Sequence, residues 1–357
     1  MSAKPKWESG SLYLGIDIGS VSVKVVVITE AVELLEERYL RSRGQPLRAV
    51  GQLLEEVGTR IPREAITGVG VTGSGGKLLD SRLPVHSSNE IIAQVKACGG
   101  LLPEVRTLIE MGGEDSKLIQ LTPDVLLGTL VLQDFAMNTI CAAGTGSFLD
   151  QQATRLGLRI EEEFGALALQ SEHPPRIAGR CTVFAKSDMI HLQQIGTPLA
   201  DIVAGLCYAV ARNFKSALVK GKRLELPVAF LGGVAANAGM VRAFREVLEL
   251  SAEELFVPAH HASMGAMGAA LLAREEIHAG HGANPELSLT GLMEDLRALG
   301  LSPEAADAAG PRHTAVRPPA GAASRGYAER GAQVVHSRLQ AGGQKIEAYL
   351  GIDVGSV

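Results

Sequence analysis

A chain of 357 residues, 46% of them hydrophobic, has room for about two domains and a sizeable core. A net charge of −5 and a pI near 6.0 argue against a general nucleic-acid binder. The opening MSAKPKWESG lacks the apolar stretch of a signal peptide, and no apolar run approaches the about 20 residues of a membrane span, so a cytoplasmic protein is expected, with no nucleic acid and no membrane as partner.

Residues 1–11 read as a disordered lead. Residues 12–28, LYLGIDIGSVSVKVVVI, predict two Val/Ile-rich strands joined at Gly19-Ser20. A helix follows over 46–60, then a strand running into a glycine turn over 66–76. A second helix covers 89–102 and ends at Gly99-Gly100. Residues 106–121 repeat the order strand, glycine turn, strand, and a further strand group opens at 124–133. Helices are predicted over 144–157 and 198–221, a strand–turn–helix over 227–249, and a small-residue helix over 263–276. From 277 onward Ala, Pro, Gly and Arg dominate, which predicts a linker to residue 348 with one short helix around TGLMEDLRALG. Strands alternating with helices argue for an α/β protein with much parallel pairing.

The glycine turns carry the chemistry. In GIDIGSVSVK, Asp17 ends a buried strand, Gly19 and Ser20 make a turn whose N–H groups can face an anion, and Lys24 lies on the returning strand. Asp17 can hold Mg²⁺ through water or orient an attacking water. A strand-end acid in an ordinary hairpin would explain one such motif. However, EMGGEDSK repeats it, with Gly112, Gly113, Glu114, Asp115 and Lys117. GVTGSGG adds Thr72 and Gly73, and LGGVAANAG adds Gly232, Gly233 and Asn237 ahead of a helix. This order resembles the two-lobed ATPase fold of sugar kinases, actin and the Hsp70 chaperones, over residues 12–275. Neither a P-loop signature nor a G-x-G-x-x-G follows the first strand.

Cys141 in NTICAAGTGSFLD and Cys181 in AGRCTVFAKSDMI each precede a predicted helix, where thiolates are favoured. Cys98 and Cys207 read as small buried hydrophobes, and structural disulfides are not expected of any of the four. Two cysteines do not close a [4Fe–4S] site, so a two-fold partner would have to supply the other two.

The motifs CAAGTGSFLD, CTVFAKSDMI, GGEDSK, LGGVAANAGM and GAMGAALLA resemble the ATPase activators of 2-hydroxyacyl-CoA dehydratases and the ATPase subunits of benzoyl-CoA reductase. The resemblance implies a homodimer with one [4Fe–4S] cluster shared between two modules, ATP/ADP and Mg²⁺ as cofactors, and an ATPase cycle driving a low-potential electron to a dehydratase or reductase component. A ferredoxin or flavodoxin is the implied donor. It places the cluster on Cys141 and Cys181, catalysis on Asp17 and Asp115, phosphate contacts on Gly19, Ser20, Lys24, Thr72, Gly73 and Gly112 to Lys117, and adenosine on Gly232, Gly233 and Asn237. Glu114 stands where many activators carry Gln. The expected lobes span 12–122 and 123–262, with residues 263–276 packing back on the first. The alternatives are a small-molecule kinase on the same fold, which has no use for the two cysteines, and a regulatory pseudo-ATPase module. The tail YLGIDVGSV (349–357) differs from YLGIDIGSV (13–21) at one position and reads as the truncated start of a second ATPase module, which in a tandem chain would be the pseudo-dimer partner in place of a second copy.

Overall fold

The computed structural model describes residues 10–80, 85–138, 142–280 and 289–298. Of two units, Met1–Ala305 and Ala306–Val357, the second lies wholly outside those residues. So do the lead at 1–9, Cys141, most of the predicted linker and the repeated tail.

The predicted apolar strands form two five-stranded sheets of one design. The first contains β1 (Leu12–Ile18), β2 (Ser22–Thr29), β3 (Leu34–Arg41), β4 (Ile66–Thr72) and β5 (His86–Ser87), in the order β3-β2-β1-β4-β5. The second contains β6 (Thr107–Met111), β7 (Ser116–Asp124), β8 (Thr129–Asn138), β9 (Val228–Leu231) and β10 (Leu255–Phe256), in the order β8-β7-β6-β9-β10. In both, the first three strands of the sequence are antiparallel and the last two join in parallel. Two expectations need correction here. The sheets divide between residues 101 and 107 rather than at 122, because β6 pairs with β9 and β7 with β8. β3, LLEERYLR, is a strand the sequence did not announce: its charges sit on a sheet edge, where neither face needs an apolar run.

Helix α1 (Pro46–Gly58) lies on the first sheet, burying Val50, Leu53, Leu54 and Val57 along one stripe. The short α2 (Lys77–Asp80) follows β4, and α3 (Glu90–Leu101) starts at Asn89, whose side chain accepts a hydrogen bond from Ile91 N. Between β8 and β9 lies a helical insert: α4 (Gly146–Arg155), α5 (Gly165–Leu169), α6 (Thr182–Gln194) and α7 (Leu199–Phe214). Leu199–Val219 is long and apolar enough to cross a membrane by length and composition, yet α7 is a core helix packed among Phe164, Ile177 and Phe244. Phe214, Phe230 and Phe244 meet edge-on at centroid distances of 5.2 and 4.8 Å. α8 (Ala238–Leu248) follows β9.

α9 (Met264–His278) follows the second sheet but lies on the first, against β1 and β4. Its run of Gly and Ala permits this. A Cβ on Gly15 of β1 would stand 1.9 Å from Ala266 O, and one on Gly268 would stand 1.8 Å from Ala93 O of α3. α9 and α3 thus pack backbone to backbone between the sheets. α10 (Leu289–Ala298) docks on α1 through buried Leu292 and Met293. The folded body therefore includes a helix within the stretch read as linker.

Gly268→Ala is expected to lower stability by about 1–3 kcal/mol, since backbone and not a flexible side chain must give way. Urea unfolding of the variant beside the parent measures this; an unchanged midpoint would show that α3 and α9 can part without cost.

Candidate functional site

A cleft of about 560 Å³ opens between the two sheets, and both hairpin turns reach it. Asp17 stands opposite Lys24 in the β1–β2 register, and Glu110 stands opposite Lys117 in the β6–β7 register. Each pair is closed by the same turn: Gly19 N donates to Ser22 O at 3.0 Å, and Gly112 N donates to Asp115 O at 3.0 Å. The turns touch across the cleft, where a Cβ on Gly113 would lie 2.2 Å from Val21 Cγ2. Gly73 and Gly232, each directly after the fourth strand of its sheet, hold φ values of +95° and +88°, which a Cβ disfavours. A side chain at Gly73 would also strike Asp17.

The two pairs differ in burial. Lys24 Nζ lies 3.2 Å from Asp17 Oδ2. Burial lowers the Lys24 pKa, but Asp17 outweighs it, and the ammonium is held above its ordinary value. Asp17 also sits beside the first turn of α9, with Oδ2 3.1 Å from where a Gly265 Cβ would stand, so the positive end of that helix faces it. Lys117 is 2% exposed and lies 2.8 Å from each of Glu90, Glu110 and Asp115. Burial lowers its pKa; the three carboxylates reverse that and raise it. Burial raises the Glu110 carboxyl, with Lys117 opposing. Asp17, Glu90, Glu110 and Asp115 together outnumber Lys24 and Lys117 by four to two. That excess of negative charge suits a polyanion that arrives with a divalent cation.

At the other end, Gly232, Gly233 and Asn237 line the cleft with Ile160, Ala166 and Leu169. Asn237 caps α8, its Oδ1 accepting from Met240 N at 3.1 Å, while its Nδ2 is buried with no partner. Gln94 Oε1, near Asp17, is likewise buried and unpaired. Unpaired buried groups at both ends of a cleft call for a ligand or ordered water.

Asp17, Gly19, Ser20, Lys24, Thr72, Gly112, Gly113, Glu114, Asp115, Lys117, Gly232, Gly233 and Asn237 all line this cleft, and Gly73 abuts Asp17 from behind. Glu110 was missed. Its signal was present, because Asp17–Lys24 and Glu110–Lys117 share a seven-residue spacing across the same turn. Tyr39 and Arg41 also line the cleft and carried no sequence signal.

The cysteines lie elsewhere. Cys98 and Cys207 are buried, and burial pushes both thiols up to about 12. Cys181 is half-buried at the N-cap of α6, with Val183 and Phe184 66% and 64% exposed just beyond it. Cys141 is outside the described residues. Asn213 of α7 relates the flanking segments: its Nδ2 donates to Gly179 O, and its Oδ1 lies 2.6 Å from where a Gly144 Cβ would stand. Among the described residues, no group of three or more His, Cys, Asp or Glu is placed to hold a metal ion.

The sequence profile of the BadF/BadG/BcrA/BcrD ATPase family matches residues 14–273. The chain belongs to this family. It is 34% identical to the 2-hydroxyisocaproyl-CoA dehydratase activator of Clostridioides difficile over 265 residues, 74% of this chain and 95% of that one. It is 31% identical to the (R)-2-hydroxyglutaryl-CoA dehydratase activating ATPase of Acidaminococcus fermentans, over 74% of this chain and 97% of that one. The solved C. difficile activator with bound ADPNP superposes with a TM-score of 0.66 at 32% identity, covering 75% of this chain and 96% of its own. The two-lobed ATPase fold expected from the turns is thus the fold of the solved dehydratase activators.

Lys117→Met would leave three carboxylates facing each other. A loss of about 3–5 kcal/mol is expected at neutral pH. In the parent, the raised Lys117 pKa means its contribution is complete at every pH below the ordinary lysine value. In the variant, Glu110 is raised further, so the folded state binds more protons than the unfolded state and stability falls as pH climbs from 5 to 8. Urea titrations at both ends of that range test the sign; a variant more stable at pH 8 than at pH 5 would refute the network.

Proposed function

We propose that this chain is an ATP-hydrolysing activator of a 2-hydroxyacyl-CoA dehydratase, whose two hairpin turns clamp a nucleotide polyphosphate and whose Cys141 and Cys181 would hold an iron–sulfur cluster that would supply low-potential one-electron chemistry. The observation that carries the nucleotide reading is the pair of matched acid–lysine turns meeting in one cleft. The turn-tip residues Ser20, Val21, Gly113 and Glu114 supply backbone N–H groups to the phosphates. Lys24, held by Asp17, sits beside the transferred group. Asp17 orients the attacking water, with Gln94 as its neighbour, and Asp115 supports the second turn through Lys117. Mg²⁺, for which the excess carboxylates are suitable ligands directly or through water, would neutralise the phosphates. Asn237 Nδ2 donates to the nucleoside.

The cluster reading rests on Cys181 and Cys141. A half-buried thiol at the start of a 13-residue helix suits a metal-bound thiolate. The exposed Val183 and Phe184 beside it suit a face covered by a second copy, and Asn213 bonds Gly179 ahead of Cys181 while lying against Gly144, just past Cys141 in the chain. A [4Fe–4S] cluster held by two cysteines from each of two copies would supply one-electron chemistry at the dimer axis. Burial and the raised thiol pKa argue against Cys98 and Cys207 as ligands.

Asp17→Ala is expected to abolish ATP hydrolysis while leaving the far-ultraviolet circular dichroism spectrum unchanged. Hydrolysis at the parent rate would remove Asp17 from the mechanism. After anaerobic reconstitution, about two irons per chain are expected in a dimer. Cys181→Ser should lose nearly all of that iron and still bind ATP, whereas Cys98→Ser and Cys207→Ser should keep it. A colourless monomer that hydrolyses ATP would sink the electron-transfer reading.

A further inference from the structure

Strand β3 alternates its side chains, and one face of it points away from α1. On that face stand Glu37, Tyr39 and Arg41. All three come from the lobe of the first sheet, and all three meet the lobe of the second. His260, in the loop before α9, holds Glu37 through Nδ1 at 2.5 Å from Oε2. Its φ of +60° belongs to the turn that brings it there, and Ser263 N closes that turn on His260 O. Arg41 holds Asp150 of α4 at 2.5 Å and Glu161, ahead of α5, at 3.1 Å. Tyr39 lies between these bridges. It stands opposite Lys24 in the β2–β3 register, and its hydroxyl is 3.8 Å from where a Cβ on Gly233 would stand.

We propose that this face of β3 is an inter-lobe clasp that sets how long nucleotide stays in the cleft. The proposal rests on the nucleotide reading above and adds to it the residues that govern release. Tyr39 spans the cleft between the phosphate-side Lys24 and the nucleoside-side Gly233, and the bridges on either side of it hold the two lobes together. The lobes are joined elsewhere by α3 and α9, whose backbone contact is too close to slide. Opening the cleft therefore means breaking the bridges of β3, at the edge farthest in sheet order from β5. Both bridges are partly exposed, with Arg41 and His260 side chains 37% and 40% accessible. They break cheaply, as a clasp that opens at each turnover must.

Release of a fluorescent ADP analogue from the full chain, chased with excess ATP, tests this. Glu37 and His260 stand outside the cleft lining, so Glu37→Gln alters the clasp without touching nucleotide. Each of Glu37→Gln and Arg41→Gln is expected to speed release about two- to fivefold. Combined, their effects should multiply, because the bridges share no partner. Asp150→Asn added to Arg41→Gln should contribute nothing further. Raising salt from 0.1 to 1 M should speed release from the parent by a larger factor than from the Glu37→Gln/Arg41→Gln variant, where only the nucleotide's own ionic contacts remain to be screened. A parent that binds the analogue, with release unchanged in both single variants or insensitive to salt, overturns the clasp alone. A parent that binds no nucleotide overturns the nucleotide reading and the clasp together.

Discussion

A single ammonium group, that of Lys117, organises the second half of the cleft. It is almost fully buried and touches carboxylates from three places in the chain: Glu90 at the start of α3, Glu110 on β6 and Asp115 in the turn. A buried charge is tolerable only when paired, so these elements are bound to one arrangement. The turn that results carries α4 on it, since Gly146 N and Ser147 N donate to Gly112 O and Gly113 O at 2.9 and 2.8 Å. The helical insert of the second lobe thus starts from the second glycine turn. A displacement of that turn is passed to the insert directly through these two backbone hydrogen bonds.

The first half of the cleft uses the same rung in lighter form. Lys24 touches one acid, Asp17, which itself sits beside the first turn of α9, and Glu110 adds to the field from across the cleft. Across the first sheet, Thr72, Asp17, Lys24 and Tyr39 form one row; across the second, Leu231, Glu110, Lys117 and Met137 stand in the same places. The duplication is therefore in the backbone and in the acid–lysine rung. The flanking positions diverge: Thr72 and Tyr39 are polar and face the cleft, while Leu231 is core. The lobes also diverge in what joins the third strand to the fourth. Chiefly α1 does so in the first lobe, and α4 to α7 do so in the second, bringing Ile160, Ala166 and Leu169 of the cleft wall and Cys181 with them.

Between the sheets, α3 and α9 exchange lobes. α3 follows the first sheet and packs beside β8; α9 follows the second and lies on β1 and β4. Tyr13, Val26, Ile91, Leu108, Ile119, Met264 and Met267 belong to one continuous core that includes both sheets and both helices. The side of the molecule near α3 and α9 is thereby rigid, and the side near β3 is held by the Arg41 ion pairs and the Glu37–His260 contact. Motion between the lobes is expected to concentrate where apolar burial is least.

Much was legible in the sequence because it is local. A glycine turn between apolar strands, a lysine seven residues past an acid, and a Gly/Ala helix each act through neighbours along the chain, so the turns, their strands and α9 could be placed from residue order. Cys98 and Cys207 could be read as core from their apolar surroundings. β3 could not be read, because an edge strand with one face on α1 and the other on a cleft has no periodic apolar signature. The lobe boundary was misplaced because β6 and β7 resemble β1 and β2, and only the pairing of β6 with β9 shows which sheet they join. Glu110 took its meaning from Lys117, Glu90 and burial, and Arg41 and Glu37 from partners more than 100 residues away. Residue order thus determined which segments could bind phosphate and which helix could pack without side chains. Tertiary structure decided which charges meet, because an ion pair depends on distance in space, and a chain that folds two similar sheets face to face brings together residues that no local rule connects.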